Sequence, residues 1–273
     1  MVQSFRSVFL TDGGTEPQAL PSHEIALNLQ NLYTRCIQDE PYSLEGIITD
    51  CYSKNMFTKE VLEACWENVR NYRSPFSALQ ILSMMKTSDA DVIQVTELIE
   101  STLPRAFDSR DLPTLVAIMK YLATIPIKNR PSISLFVHYL RNILLGTVCL
   151  DNSTSTGYWF QLCEETTHVV FAYHPSPEYL LANIIVEVYG GLTNVFGDYS
   201  NCSPFPLARF LFLLGQLALN TLLYSESLSK TAKIANESRA TSLDTHDNEA
   251  DAMEAEMGLA AAADAENERV IKC

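Results

Sequence analysis

The chain has 273 residues, 47% of them hydrophobic and 19% charged, with a formal charge of −14. That length provides one large or two ordinary domains and a sizeable core, while ten glycines and twelve prolines are too few for a sandwich built on many tight turns or for a long disordered chain. The negative net field works against a surface that grips nucleic acid or anionic lipid directly.

Residues 1–21, with Gly13-Gly14 and two prolines, are expected as a flexible N-terminal segment. From Ser22 the chain turns helical: Ile25, Leu29, Leu32, Tyr33, Cys36 and Ile37 recur at the spacing that lines one helix face. Glu40-Pro41 is expected to stop this helix, because proline disfavours the helical conformation in the residue before it. A short helix over about Leu44–Tyr52 follows. Thr58 is the expected cap of the next, whose stripe is Val61, Leu62, Cys65, Trp66 and Val69. Ser74-Pro75 pairs a capping serine with a proline at the first helical position, and Ala78, Leu79, Ile81, Leu82 and Met85 then face inward. Ser88-Asp89 opens a helix carrying Val92, Ile93, Val95, Leu98 and Ile99. Leu112–Ile125 and Ile133–Val148 continue in the same manner.

Asp151–Gly157 reads as a polar loop. Trp159–Phe171 reads as a helix with Trp159, Leu162, Cys163, Val169 and Val170 inward. Ser176-Pro177-Glu178 repeats the cap-plus-proline signature, and its helix runs to Leu192 unless Gly190-Gly191 ends it early. Gly197–Pro206 is expected as a loop. No segment sustains period-two alternation, so the fold class is all-α: an α-solenoid of HEAT or armadillo-like helix pairs over residues 22–224. No strict internal repeat accompanies it, and a compact irregular helical domain is the other arrangement the pattern allows.

Phe205–Tyr224, FPLARFLFLLGQLALNTLLY, is the longest nearly continuous apolar run. Its length meets the minimum for a membrane span, about 20 residues. Arg209, Gln216 and Asn220 interrupt it, and no cluster of basic residues flanks it. It is therefore expected as a buried helix closing the last layer of the domain. Residues 225–273 hold five Lys or Arg and eleven Asp or Glu, a net of −6. That composition predicts a disordered acidic linker, with a helix restarting near 264–273. Ser238, Thr241, Ser242 and Thr245 could carry phosphates there, although none precedes a proline.

Catalytic patterns are missing: there is no GxSxG, HExxH, GxGxxG or phosphate-cradling loop with a following lysine. No catalytic residue, no cofactor and no metal is assigned, and the chain is not expected to be an enzyme. The seven cysteines, at 36, 51, 65, 149, 163, 202 and 273, form no CxxC pair and suit buried thiols in a reducing compartment. Cys149, Cys163, His168 and His174 are the best metal candidates, but their wide spacing favours a core role. His138 is expected as a partly buried histidine beside Tyr139. The carboxylates Glu164-Glu165 and Asp89/Asp91 point in different directions along a helix. The aromatics Tyr158, Trp159 and Phe160 lack interleaved basic residues and are expected to pack.

Four blocks carry a family resemblance. Phe210–Tyr224, FLFLLGQLALNTLLY, resembles the helix preceding the acidic linker in the condensin subunit 1 family, the HEAT-repeat non-SMC subunits of condensin I. Glu254–Ile271, EAEMGLAAAADAENERVI, is similar to the acidic Glu-Glu-x-Gly-Leu segment that follows in that family. Ser77–Val92, SALQILSMMKTSDADV, is similar to one of its repeats, and Phe57–Trp66, FTKEVLEACW, to the helix before that repeat. Residues 110–200 share only the helical pattern. The sister subunit of condensin II has the same architecture, and Gly258-Leu259 favours subunit 1. Members of the family are several times longer, so the chain is expected to be an internal slice or a truncated form. The resemblance implies a non-catalytic scaffold acting with SMC ATPases and a kleisin subunit in mitotic chromosome condensation. It implies location in the nucleus and on chromosomes, with the cytoplasm in interphase, and chromatin contact through the whole complex. Neither direct nucleic-acid binding by this acidic chain nor a membrane partner is expected. Another HEAT or armadillo adaptor is the alternative, followed by a membrane protein with a span at 205–224.

Overall fold

The computed structural model describes residues 20–36, 40–71, 75–85, 92–149, 153–195 and 204–243. Among these residues the structure is all helical, with no strand. The helices are α1 (Ser22–Arg35), α2 (Glu40–Ser53), α3 (Lys59–Asn71) and α4 (Phe76–Met85). Next comes α5, a continuous helix made of Val92–Glu97, a π-helical turn Leu98–Thr102 and Leu103–Ser109. They are followed by α6 (Leu112–Thr124), α7 (Val137–Leu144), α8 (Ser153–Tyr173), α9 (Pro177–Val195) and α10 (Pro204–Leu243). The chain divides into two compact units, Met1–Leu214 and Gly215–Cys273, with the division inside α10.

In the first unit α2, α4, α6 and α8 lie side by side in that order. The intervening helices pack on the row: α3 on α4, α5 on α6, and α7 on α8. Its centre is α4 and α6, each covered on several sides. In α4 every residue from Ala78 to Met85 is buried. In α6 the buried set runs from Leu112 to Leu122 with only Pro113 and Lys120 left partly exposed. Each fully buried Leu or Ile there contributes about 1.5–3 kcal/mol by leaving water. Specific contacts fix the register. Thr49 donates to the Met84 carbonyl (2.8 Å), tying α2 to α4. The Trp66 and Tyr121 rings meet edge-on at 5.4 Å, joining α3 to α6. Tyr173 donates to the Leu122 carbonyl (3.0 Å), joining α8 to α6.

Local sequence explains the helix ends. Arg110, with φ 56°, closes α5 in the left-handed conformation, and its N–H bonds back to Ala106 and Phe107. Asp111 then caps α6, accepting from the Thr114 backbone N–H (3.3 Å) and hydroxyl (2.7 Å), which satisfies a donor of the open first turn. The π turn in α5 precedes Pro104. Proline lacks an N–H and its ring crowds the carbonyl four residues back. The wider turn accommodates both, with the Leu103 N–H bonded to the Leu98 carbonyl.

The structure corrects several expectations. Glu40-Pro41 does not stop a helix. α1 ends at Arg35, and Pro41 sits in the first turn of α2, where its missing N–H has no partner to lose. Val92 and Ile93 are exposed, at 43% and 73%, because they open α5 at its uncovered end. The helix expected over Ile133–Val148 is broken: Ile133–Leu135 is a 3-10 turn and the α-helix covers only Val137–Leu144. Residues 153–157, expected as loop, are the first turns of α8. Gly190-Gly191 lies inside α9, which runs to Val195. A glycine costs a helix about 1 kcal/mol, less than the burial of Leu192 behind it can return.

The largest correction concerns the long apolar run. It is helical, but it is not a buried core helix: Leu207, Leu211, Leu214, Leu219, Leu222 and Leu223 are all exposed. Leu213, at 1% exposure, is the apolar anchor that is fully covered. Leucine surrounds this helix on every side, so periodicity carried no information about which face is covered. The helix also continues past Tyr224 to Leu243, through residues expected as linker. Ile37, Ser74, Ser88-Asp89, Asp91, Gly13-Gly14, residues 1–19, most of the 197–206 loop, and Thr245 with the Glu254–Ile271 block lie outside the described residues.

Candidate functional site

The four residues weighed as metal ligands are not assembled. Among the described residues no group of three or more His, Cys, Asp or Glu side chains gathers to hold an ion. Cys163 is fully buried on α8, its thiol pushed up to about 12 by burial, so it is held as a neutral thiol. Cys149 lies half-buried in the turn after α7. His174, just beyond α8, accepts the Ser176 N–H at Nδ1 (3.0 Å), a local cap for the entry to α9. His168 faces Glu165, with Nδ1 3.6 Å from its carboxylate. Hydrogen bonding to Glu165 raises the His168 pKa above its usual value against the opposing effect of burial. Glu164, next to it, is exposed. His138 is exposed rather than partly buried, its ring 3.7 Å from that of Tyr139 and tilted 42° to it; the short helix α7 turns it outward.

Of the aromatic group at the start of α8, Trp159 and Phe160 pack as expected and Tyr158 does not. Trp159 is buried and donates its indole N–H to the Ile143 carbonyl (2.9 Å). Phe160 and Phe212 meet at 4.9 Å. Tyr158 is exposed.

A feature the sequence reading did not single out as a site lies beside this group. A cavity of about 430 Å³ opens between the end of α7, α8, α9 and the first turns of α10. Leu144, Leu145, Val188, Leu192 and Leu213 give it apolar walls, and Glu187 and Arg209 are its charged residues. Glu187 is bonded to Arg141. Arg209 is different: its Nε and Nη2 are buried without a hydrogen-bond acceptor among the described residues. Its guanidinium lies 5.5 Å from the Trp159 ring centroid, within range of a cation–π contact. It passes close to Gly146, which has no side chain to block the path; a β-carbon there would stand 3.2 Å from Nη1. The sequence showed Arg209 only as an interruption of an apolar run. Its partial burial follows from helix packing, which no local pattern encodes.

Helix α10 carries the stretch, Phe205–Ala235, that among the described residues is long and apolar enough to cross a membrane; an 18-residue window within it has a mean hydropathy of 1.4 and is 11% buried. No family model matches the chain, and no curated protein matches it.

Proposed function

We propose that the chain is a non-catalytic scaffold of the condensin subunit 1 kind, an α-solenoid segment that works with SMC ATPases and a kleisin subunit in mitotic chromosome condensation. The observation that carries this reading is the order and content of the blocks Phe210–Tyr224 and Glu254–Ile271, preceded by Phe57–Trp66 and Ser77–Val92. The row α2, α4, α6 and α8, with an odd-numbered helix on each of the last three, fits stacked helix pairs and supports a repeat architecture. The exposed Tyr179, Val186 and Tyr189 on α9 fit a surface on which a further pair or a partner rests. Nucleus and chromosomes are the location this reading assigns, and chromatin is reached through the complex rather than by this acidic chain.

Affinity purification of the tagged chain from dividing cells of its source, with mass spectrometry, tests the reading. Two SMC ATPases and a kleisin are expected among the recovered proteins. A stable partner of another kind, with no SMC protein, would move the assignment to a different HEAT or armadillo adaptor. The exposed leucines of α10 favour a second reading, membrane association. Under it the chain would stay in the pellet after alkaline carbonate extraction and need detergent for release.

A further inference from the structure

Helix α9 is apolar on two opposite sides. Leu181, Ile184 and Leu192 are buried in the first unit. On the other side Tyr179, Val186 and Tyr189 are each more than half exposed, with Ala182 exposed between them. The steps from 179 to 182, 186 and 189 are three, four and three residues, the interval of the seam between paired helices. A lone exposed valine or tyrosine is ordinary. An apolar stripe at this interval, on a helix already anchored by its other face, is the surface that a second helix covers. Asn183, exposed beside Ala182, adds a neutral polar group. The edges of the stripe are acidic. At 3.6 residues per turn, Glu187 lies about 100° to one side of Val186 and Glu178 about 80° to the other. Glu187 is bonded to Arg141, whereas Glu178 has no ion pair among the described residues. Helix α9 contains no Lys, Arg or His, and neither do residues 196–203 after it.

We propose that this face of α9 seats an amphipathic α-helix of a partner protein, apolar at the same three-four interval and carrying Lys or Arg along the edge that meets Glu178. The occupant is a helix because α9 commits its backbone groups internally and offers only side chains. An added strand needs a free sheet edge, and the described residues contain no strand. Ala182 lets the partner's backbone come close at the middle of the stripe, and Tyr179 and Tyr189 give broad contact toward its ends. Charge separates this partner from a second copy of the chain. Two copies paired through the face would bring their acidic edges together, each chain carrying −14. A helix with a basic edge meets the opposite sign and is steered toward the face. The inference rests on the scaffold reading in taking α9 as a partner surface, and it adds the partner's chemistry. It names no condensin subunit, so its test and the co-purification of SMC proteins fail separately.

The test uses the full 273-residue chain and three labelled, stapled helical peptides of four turns, read by fluorescence anisotropy. The first has Leu at the three-four positions and Lys along the edges. The second replaces each Lys by Glu, and the third keeps the composition of the first with the interval scrambled. The first is expected to bind about ten-fold or more tightly than either of the others. Val186→Asp should weaken it about ten-fold or more, the loss of one buried apolar contact. The melting temperature should be unchanged, since Val186 is exposed in the free chain. That substitution adds a negative charge, so attraction to net charge alone would strengthen binding instead. Glu178→Gln should weaken the first peptide about two- to five-fold, as for an exposed ion pair, and should not weaken the second. No binding by the first peptide, or binding equal to that of the second or third, would overturn the proposal. So would a Val186→Asp chain that binds as well as the parent, or one that melts well below it. A parent chain that sediments as a dimer and that Val186→Asp converts to a monomer would give the face to a second copy. Liposome flotation lost on the same substitution would give it to a membrane. Both of those outcomes overturn the helix partner.

Discussion

At the scale of single residues, Gly146 and Gly46 separate two roles of the same amino acid. Gly146 holds a φ of +79° and adjoins the Arg209 guanidinium, so any side chain there is strained by backbone and neighbour together. Gly46 lies inside α2 with open space where a β-carbon would go. Gly146→Ala should lower the unfolding free energy by about 1–2 kcal/mol, and Gly46→Ala should raise it by about 0.5–1 kcal/mol. Denaturant titration checks both. His168 gives a pH-linked prediction. Its raised folded pKa means that its contribution is fully present below the unfolded value of about 6.5 and is lost as pH rises through the folded pKa. The side chain is 42% exposed, so solvent screening limits the effect to roughly a few tenths of a kcal/mol. An NMR titration should place its midpoint above the usual histidine value, and Glu165→Gln should bring it back down. A midpoint already at the usual value in the parent chain would remove the Glu165 interaction from the account.

At the scale of elements, α10 shows how little total apolarity says about burial. Leu213 and Leu211 are neighbours in one leucine-rich helix, yet the first is 1% exposed and the second 56%. An aspartate at 213 would place a charge among apolar groups without a partner. Leu213→Asp is therefore expected to cost about 3 kcal/mol or more, whereas Leu211→Asp should stay within about 0.5 kcal/mol. Equal tolerance of the two in thermal melts would show that α10 does not anchor through Leu213. The short helices α4 and α6 behave in the opposite way. Neither is longer than 13 residues, and both are buried almost all round because neighbours cover them on several sides.

At the scale of the molecule, the first unit is ordered around that central pair. Hydrogen exchange should find its slowest amides in α4 and α6, since opening them exposes the most apolar surface. Residues 225–235 of α10, nearly all exposed, should exchange far faster. Leu115→Ala, in the middle of α6, should cost about 2–5 kcal/mol and speed exchange across α4 as well, because the two helices share one core. Slow exchange centred on α10 instead would place the organising core where the long apolar run suggested.

The sequence by itself determined the helical class and much of the inward pattern. Leu29, Val61, Trp66, Leu79, Leu82, Leu98, Leu162 and Val170 all fall on buried faces as their spacing required, since a 3.6-residue repeat is a local property that survives any packing. Ser176-Pro177 marked the entry to α9 for the same reason. Only the tertiary structure decided which helices are central, which face of α10 is covered, that Arg209, Trp159 and Glu187 border one cavity, and that Gly146 lies against Arg209. Those residues are up to 63 positions apart in the chain. Their meeting depends on how helices of similar apolarity are laid against one another, and a one-dimensional pattern does not specify that arrangement.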